Sequence, residues 1–181
     1  GENFRASMAC LAVQLIVSNK VSERGQQTFF AAFPFSFLSS GMKAYYVETV
    51  DTELGIAVMA DVNGAVPAAT PVIFRSLSGM QEVTFVIPED APKRETSPIT
   101  GNVLQGKYLD TTDNDTQIRV FGKEEVQNGD SWYSTGRVGF FPRAYEDNDP
   151  IPHNKAYYVQ QVHDGNANSK KAIFFEFDTT G

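Results

Sequence analysis

Residues 41–51 read GMKAYYVETVD, and the pentapeptide KAYYV at 43–47 occurs again at 155–159, within KAYYVQQVH. Adjacent side chains of a β-strand point to opposite faces of the sheet, so each copy places one tyrosine on each face. A strand with a large aromatic ring on both faces is expected to be covered on both sides. We therefore predict that both copies are register-setting strands at corresponding places of an internally repeated β-fold.

Alternation of apolar and other residues also extends through much of the remaining chain. It is clearest in five stretches: LAVQLIV (11–17), TFFAAFPFSF (28–37), LGIAVMADV (54–62), EVTFVIP (82–88) and AIFFEF (172–177). A period of two over short runs bounded by turn residues is typical of half-buried strands. Further strands are predicted at 43–50, 71–75, 103–109, 118–121, 137–141 and 155–162.

No ten-residue segment combines a helical period of 3.6 with the absence of Gly and Pro. We therefore predict an all-β protein, an antiparallel β-sandwich or barrel of about ten strands with an internal pseudo-repeat and little or no helix. One domain over residues 1–181 is expected. The irregular segment 88–101, which contains three prolines, is interpreted as a long surface loop, or as a divider of two halves.

Composition argues against several classes of partner. Apolar residues make up 41% of the 181 residues, enough for a globular core, and the formal net charge is −7. An acidic chain without a cluster of Lys and Arg is a poor partner for nucleic acids or anionic membranes. No apolar run reaches the length of a spanning helix, so no membrane span is expected.

The chain also lacks the common catalytic motifs. It has no G-x-S-x-G, no P-loop, no G-x-G-x-x-G and no H-E-x-x-H, and its single cysteine rules out a cysteine zinc cluster. His153 and His163 are interpreted as exposed loop residues. We therefore expect no enzymatic activity, no catalytic residue, no metal site and no cofactor.

Two acidic turns carry the remaining polar clusters. LDTTDNDTQ and YEDNDP are interpreted as turn chemistry, because Asp and Asn stabilise turns with their side chains. Oxygen-rich loops can also bind Ca²⁺, and paired carboxylates can cleave glycosides, so both alternatives stay open. The side chains concerned are Asp110, Asp113, Asp115, Glu146, Asp147 and Asp149.

The segment DSWYSTGRVGFFPRAY (130–145) is the most suggestive stretch for ligand binding. Trp132, Tyr133 and Tyr145 lie near predicted turns, where a ring can stay exposed and stack on a sugar. The other interpretation is structural: Phe140 and Phe141 form a core strand and Trp132 caps the core.

Four motifs occur in a fixed order along the chain: GMKAYYV (41–47), VPAATPVIF (66–74), TGNVLQG (100–106) and GFFPRAYEDNDPIPHNKAYYV (139–159). The series resembles a β-domain of secreted and surface proteins of Bacteroides-group bacteria, with the motifs G-x-KAYYV, IPA-x-TPVI, GN-x-L-x-G and GFY…IPANKAYL. The order is kept from about Gln27 to Val162. The chain departs from the pattern at His153, where the family has a small residue, and at Tyr158 or Val159, where it has Leu.

This resemblance implies an extracellular or cell-envelope location, with a signal peptide removed ahead of Gly1. It implies a structural or binding role and transfers no catalytic residue. We therefore predict a non-enzymatic secreted or cell-surface module that binds other proteins, is adhesive or supports neighbouring domains. The alternative is a module that binds surface glycans through Trp132, Tyr133 and Tyr145, and a hydrolase is the third hypothesis.

Overall fold

The computed structural model describes residues 15–17, 25–38, 40–77, 83–87, 97–109, 118–142, 151–160 and 172–177. These ranges contain strands and turns without a helix, which confirms the all-β prediction. None of the described residues belongs to an apolar helix of membrane-spanning length. The strands, in chain order, are β1 (Leu15–Val17), β2 (Gln26–Phe29), β3 (Ser36–Phe37), β4 (Met42–Asp51), β5 (Ile56–Asp61), β6 (Val72–Ser76), β7 (Val83–Val86), β8 (Gln105–Gly106), β9 (Ile118–Asn128), β10 (Ser131–Pro142), β11 (Ala156–Val159) and β12 (Ile173–Glu176).

Nine of these strands form one sheet in the order β2-β6-β4-β5-β12-β10-β9-β11-β8, and β1, β7 and β3 form a second, small sheet. All described pairs are antiparallel, as predicted, except that β12 runs parallel to β5. The ends of the large sheet meet, because the amide of Phe30 donates to the carbonyl of Asn154 at 3.0 Å. A Cβ at Gly106 would overlap the ring of Phe30. The large sheet is therefore a nearly closed barrel, which leaves few unpaired strand edges.

Apolar side chains pack on both faces of this sheet. The inner face carries Val47, Ala57, Ile73, Leu104, Phe140, Ala156, Tyr158 and Ile173. The outer face of β2, β6 and β4 packs against the small sheet through Phe29, Ala31, Phe35, Ala44, Val66, Val72, Phe74 and Phe85. A third cluster, on the outer face near β9 and β11, consists of Ile118, Ile151 and Tyr157. The abundance of Phe is explained by these layers, since ring–ring contacts such as Phe29 on Phe85 at 4.4 Å fill them.

Both copies of KAYYV form strands, β4 and β11, but they turn opposite faces toward the barrel interior. Ala44 lies on the outer face, in the cluster that packs against the small sheet, whereas its counterpart Ala156 lies in the cluster on the inner face, which we call the inner cluster. Tyr158 is buried inside, while its counterpart Tyr46 is half-exposed and donates its hydroxyl to Glu48 at 3.2 Å. The repeat therefore extends to the backbone conformation and not to the side-chain environment.

The predicted strand over 28–37 is interrupted. β2 ends at Phe29 and β3 begins at Ser36, with Pro34 between them, which supplies no N–H for a ladder. The carbonyl of Ala31 instead accepts a hydrogen bond from Ala69 at 2.8 Å. The break lets one segment contribute first to the barrel and then to the small sheet.

Candidate functional site: the β9–β10 arm

The hairpin of β9 and β10 extends well past the rest of the barrel. β11 pairs with β9 only as far as Val120, and β12 pairs with β10 only at Gly139 and Phe140. The two strands continue to pair with each other to the end of the hairpin. Residues 123–137, which we call the arm, pair with no third strand in the described part of the chain. Their side chains are exposed or half-exposed on both faces of this two-stranded ribbon.

A tight turn ends the arm. Asn128 and Ser131 pair across the hairpin, so Gly129 and Asp130 are the two central turn residues. Gly129 has φ 64° and Asp130 has a negative φ, the pattern of a type II′ turn, which favours Gly at its first central position. The backbone twist of this turn type matches that of paired strands. The sequence QNGD therefore closes the hairpin in one register.

The structure places two of the three predicted ligand-binding aromatic residues on the arm. Trp132 is 63% exposed and Tyr133 is 55% exposed, so the interpretation of Trp132 as a cap of the core is wrong. Tyr145 lies outside the described residues. Trp132 pairs with Gln127 and Tyr133 pairs with Val126 across the hairpin. Because neighbours on a strand point to opposite faces, the two rings lie on opposite faces of the arm.

A wide irregularity lies at the base of the arm. Ser134 pairs with Glu125 and Val138 pairs with Lys123, so three residues of β10 face one residue of β9. The amide of Gly136, where φ is 78°, donates to the hydroxyl of Ser134 at 3.2 Å. The hydroxyl of Thr135 also donates to the Glu124 carboxylate across the hairpin. Irregularities of this kind bend a strand and increase its twist, so this one sets the direction in which the arm leaves the barrel.

The base is also held by aromatic contacts on the outer face. The guanidinium of Arg137 lies over the ring of Phe174 in β12, 3.6 Å from its centroid. Phe141 meets the same ring edge-on at 5.8 Å and covers Gly122. A cation over an aromatic face is stabilising, so these contacts anchor the arm to the barrel.

The charges of the arm are mixed. Lys123 forms an exposed ion pair with Glu125 at 3.5 Å, and Glu124, Asp130 and Arg137 complete the set. Exposed pairs of this type contribute little to stability. Two basic residues against three acidic ones give the arm a formal net charge of −1. Its polar side chains and two rings can form hydrogen bonds and stacking contacts with a partner.

The remaining predicted candidates are not assembled into a site by the described residues. His153 lies exposed in the turn after Pro152. Among the described residues no three His, Cys, Asp or Glu side chains are placed to hold a metal ion. Seven candidates lie outside the described ranges: Asp110, Asp113, Asp115, Glu146, Asp147, Asp149 and His163.

Two buried cations were not singled out by the sequence pattern. Arg119 is fully buried, pairs in register with Tyr158, and burial lowers the pKa of its guanidinium. The ammonium of Lys155 is buried and has no hydrogen-bond partner among the described residues, and burial lowers its pKa to about 8. Its counterpart Lys43 is partly exposed, 3.7 Å from Asp61. Lys155 could have been identified only by knowing which face of its strand is buried, and the pentapeptide KAYYV does not specify that face.

Comparisons with known proteins found no matching family model, no matching curated protein and no matching solved structure. The geometry and chemistry of the arm are therefore the basis for functional inference.

Proposed function

We propose that this protein is a non-enzymatic module, secreted or at the cell surface, that binds a protein partner with the arm. The observation that carries the proposal is the exposure of Trp132 and Tyr133 on a ribbon that extends beyond the barrel. Trp and Tyr dominate the energetics of protein interfaces. The extracellular setting is supported by the four ordered motifs that resemble a surface-protein β-domain.

The area left exposed on the two rings is large enough for binding. A Trp or Tyr side chain buries roughly 150–250 Å² when fully covered, so covering the exposed part of Trp132 removes about 150 Å² of its surface from water. At about 25 cal/mol per Å², that burial is worth roughly 3–4 kcal/mol before the cost of association. One ring can therefore decide whether a weak contact becomes a specific one.

Strand geometry favours a protein partner over a glycan. The rings of Trp132 and Tyr133 lie on opposite faces, so they cannot form one flat platform for adjacent sugars. A protein partner can contact both faces of a narrow ribbon by enclosing it. The partner can be a separate protein or a neighbouring domain of a longer chain.

A glycan-binding module is the second candidate. The observation that favours it is the pairing of Trp132 with Gln127, because an exposed ring beside an amide offers both stacking and hydrogen bonds to one sugar. This alternative uses one ring at a time, and Tyr145 lies outside the described residues.

The test uses the full chain on arrays of purified extracellular proteins and of glycans. We expect a saturable protein ligand whose Kd rises roughly 10- to 30-fold in Trp132→Ala, since a hot-spot aromatic contributes about 2 kcal/mol. Leu54→Ala is the matched control, because Leu54 is exposed in the turn between β4 and β5 and not on the arm. A glycan ligand lost in Trp132→Ala would replace the proposal with the second candidate. Binding that is equal in Trp132→Ala and the unchanged chain, or turnover of a bound glycan, would refute it.

A further inference from the structure

The last described strand, β12, lies in the middle of the large sheet. It pairs with β5 on one side and β10 on the other. Among the described strands no other pairing connects the β2-β6-β4-β5 half with the β10-β9-β11-β8 half between β5 and β10. Without β12, both β5 and β10 would present an unpaired edge. The sheet therefore contains a slot for one strand, filled by residues 172–177.

Two glycines shape the walls of this slot. Gly55 has φ 69°, and a Cβ there would lie 2.8 Å from the carbonyl oxygen of Ala172. Its own carbonyl accepts a hydrogen bond from the amide of Phe174 at 2.8 Å. On the opposite wall a Cβ at Gly139 would overlap the carbonyl of Ile173. Both walls are thus fitted to the backbone of an inserted strand.

Side chains of the inserted segment contact both halves of the barrel. Ile173 is 2% exposed within the inner cluster. The ring of Phe175 lies 5.0 Å from that of Phe140 in β10, and the ring of Phe177 lies 4.7 Å from that of Tyr45 in β4. The segment AIFFEF therefore has the features of a strand ligand: backbone pairing on two edges and alternating apolar anchors.

The strand contacts do not determine which chain supplies β12. β12 follows neither β5 nor β10 directly in the chain, so no tight turn joins it to either wall of the slot. Its connection to β11 consists of residues 160–172, and the two strands are three positions apart in the sheet. Three spacings amount to about 14 Å, whereas thirteen extended residues reach up to about 45 Å. The connection is long enough to reach a neighbouring copy.

We propose that the slot between β5 and β10 is an assembly site, in which two copies of this chain exchange their β12 strands reciprocally. Reciprocal exchange fills both slots and closes a two-fold dimer with the same strand contacts as the monomer. Concentration then decides the outcome. The connection holds a chain's own β12 near its slot at an effective concentration on the order of 1 mM. Exchange therefore requires that the chains fold at a comparable protein concentration. Once formed, the dimer persists on dilution, because β12 must leave the sheet before it can return.

Disulfide trapping distinguishes the two arrangements in the full chain. Ile56 and Phe174 are register partners on β5 and β12, and both are half-exposed. In a Cys10→Ser background, one chain carries only Ile56→Cys and a second, separately tagged chain carries only Phe174→Cys. These chains can be linked through this pair only when the strand of one lies in the slot of the other. They are refolded together at high and at low concentration, then diluted and oxidised.

The measurement has two control variants and one independent check. A single chain with both substitutions must close an intrachain disulfide at low concentration, because register partners on adjacent strands lie within disulfide range. Random collisions are measured with Val126→Cys in place of Ile56→Cys, since Val126 is exposed on the arm and is not paired with β12. The mass of the unsubstituted chain after concentrated refolding is measured by light scattering, independently of any substitution.

We expect a disulfide-linked heterodimer that increases with refolding concentration and exceeds the collision control, together with a dimer of the unsubstituted chain that survives dilution. A heterodimer yield no higher than the control refutes the exchange, as does an unsubstituted chain that is monomeric after every refolding. A folded double variant without its intrachain disulfide would also overturn the proposal, because it would contradict the placement of β12. Trp132→Ala is expected to leave the yield unchanged, so this test is independent of the proposed arm function.

Discussion

Truncation of Tyr158 is expected to destabilise the protein far more than truncation of Tyr46, although both are the second tyrosine of KAYYV. Tyr158 is 5% exposed and belongs to the inner cluster, with its ring 6.5 Å from that of Phe140. Tyr46 is half-exposed, and its hydroxyl bonds to the exposed Glu48. The two substitutions therefore remove the same atoms from a buried position and from a partly exposed one.

The magnitude follows from the burial of the ring. Tyr158→Ala removes roughly 100–130 Å² of buried apolar surface, worth about 3 kcal/mol at 25 cal/mol per Å². The cavity that remains raises the expected loss to about 3–5 kcal/mol. For Tyr46→Ala the ring is only partly buried, so we expect a smaller loss of unfolding free energy than for Tyr158→Ala.

Guanidinium denaturation followed by intrinsic fluorescence measures both changes. With an m-value of about 4 kcal/mol per M, the loss at Tyr158 shifts the midpoint down by about 1 M. Tyr158→Phe is the matched control: it retains the packing of the ring and removes only the hydroxyl, at a cost of about 1 kcal/mol. Equal midpoint shifts for Tyr46→Ala and Tyr158→Ala, or a larger shift for Tyr46→Ala, would refute the opposite facing of the two strands.

Two further predictions concern Lys155 and the glycines. The pKa of Lys155 is about 8 in the folded state, whereas an unperturbed lysine has a pKa of 10.5. Between these two pH values the unfolded state therefore binds more protons than the folded state. The free energy of unfolding should therefore rise by about 2 kcal/mol from pH 8 to pH 10. Lys155→Met should abolish this rise. The same pH profile in Lys155→Met and in the unchanged chain would contradict the burial of this ammonium. Gly139→Ala should cost roughly 3 kcal/mol because its Cβ meets the carbonyl of Ile173, whereas Gly129→Ala, with open space around it, should cost about 1 kcal/mol of backbone strain. The same denaturation assay measures both, and equal costs would show that the slot does not require a glycine.

Much of the strand content was predictable, because half-buried strands carry a period of two in their own residues. KAYYV at 43–47, PVIFR at 71–75 and AIFFEF at 172–177 all contain strands in the structure. The arm was not predicted, because the strands predicted at 118–121 and 137–141 reach only its base. Both faces of residues 123–137 meet solvent, so its sequence carries no alternation that would indicate a strand.

Part of the candidate site was visible in the sequence, since Trp132 and Tyr133 stand out beside the QNGD turn. Their exposure was not, because it depends on whether another strand covers the hairpin beyond Val120. Here none of the described strands does. The same aromatic residues on a covered hairpin would have been core residues.

The sequence by itself determined that this chain forms short strands, that tight turns separate them and that aromatic side chains fill its core. Only the tertiary structure decided which face of each strand is buried. The two copies of KAYYV show the physical reason: with a tyrosine on each face, the pentapeptide can be buried from either side. The neighbouring strands decide between the two, β5 and β6 for the first copy and β8 and β9 for the second. The parallel placement of β12 likewise depends on partners more than one hundred residues away along the chain.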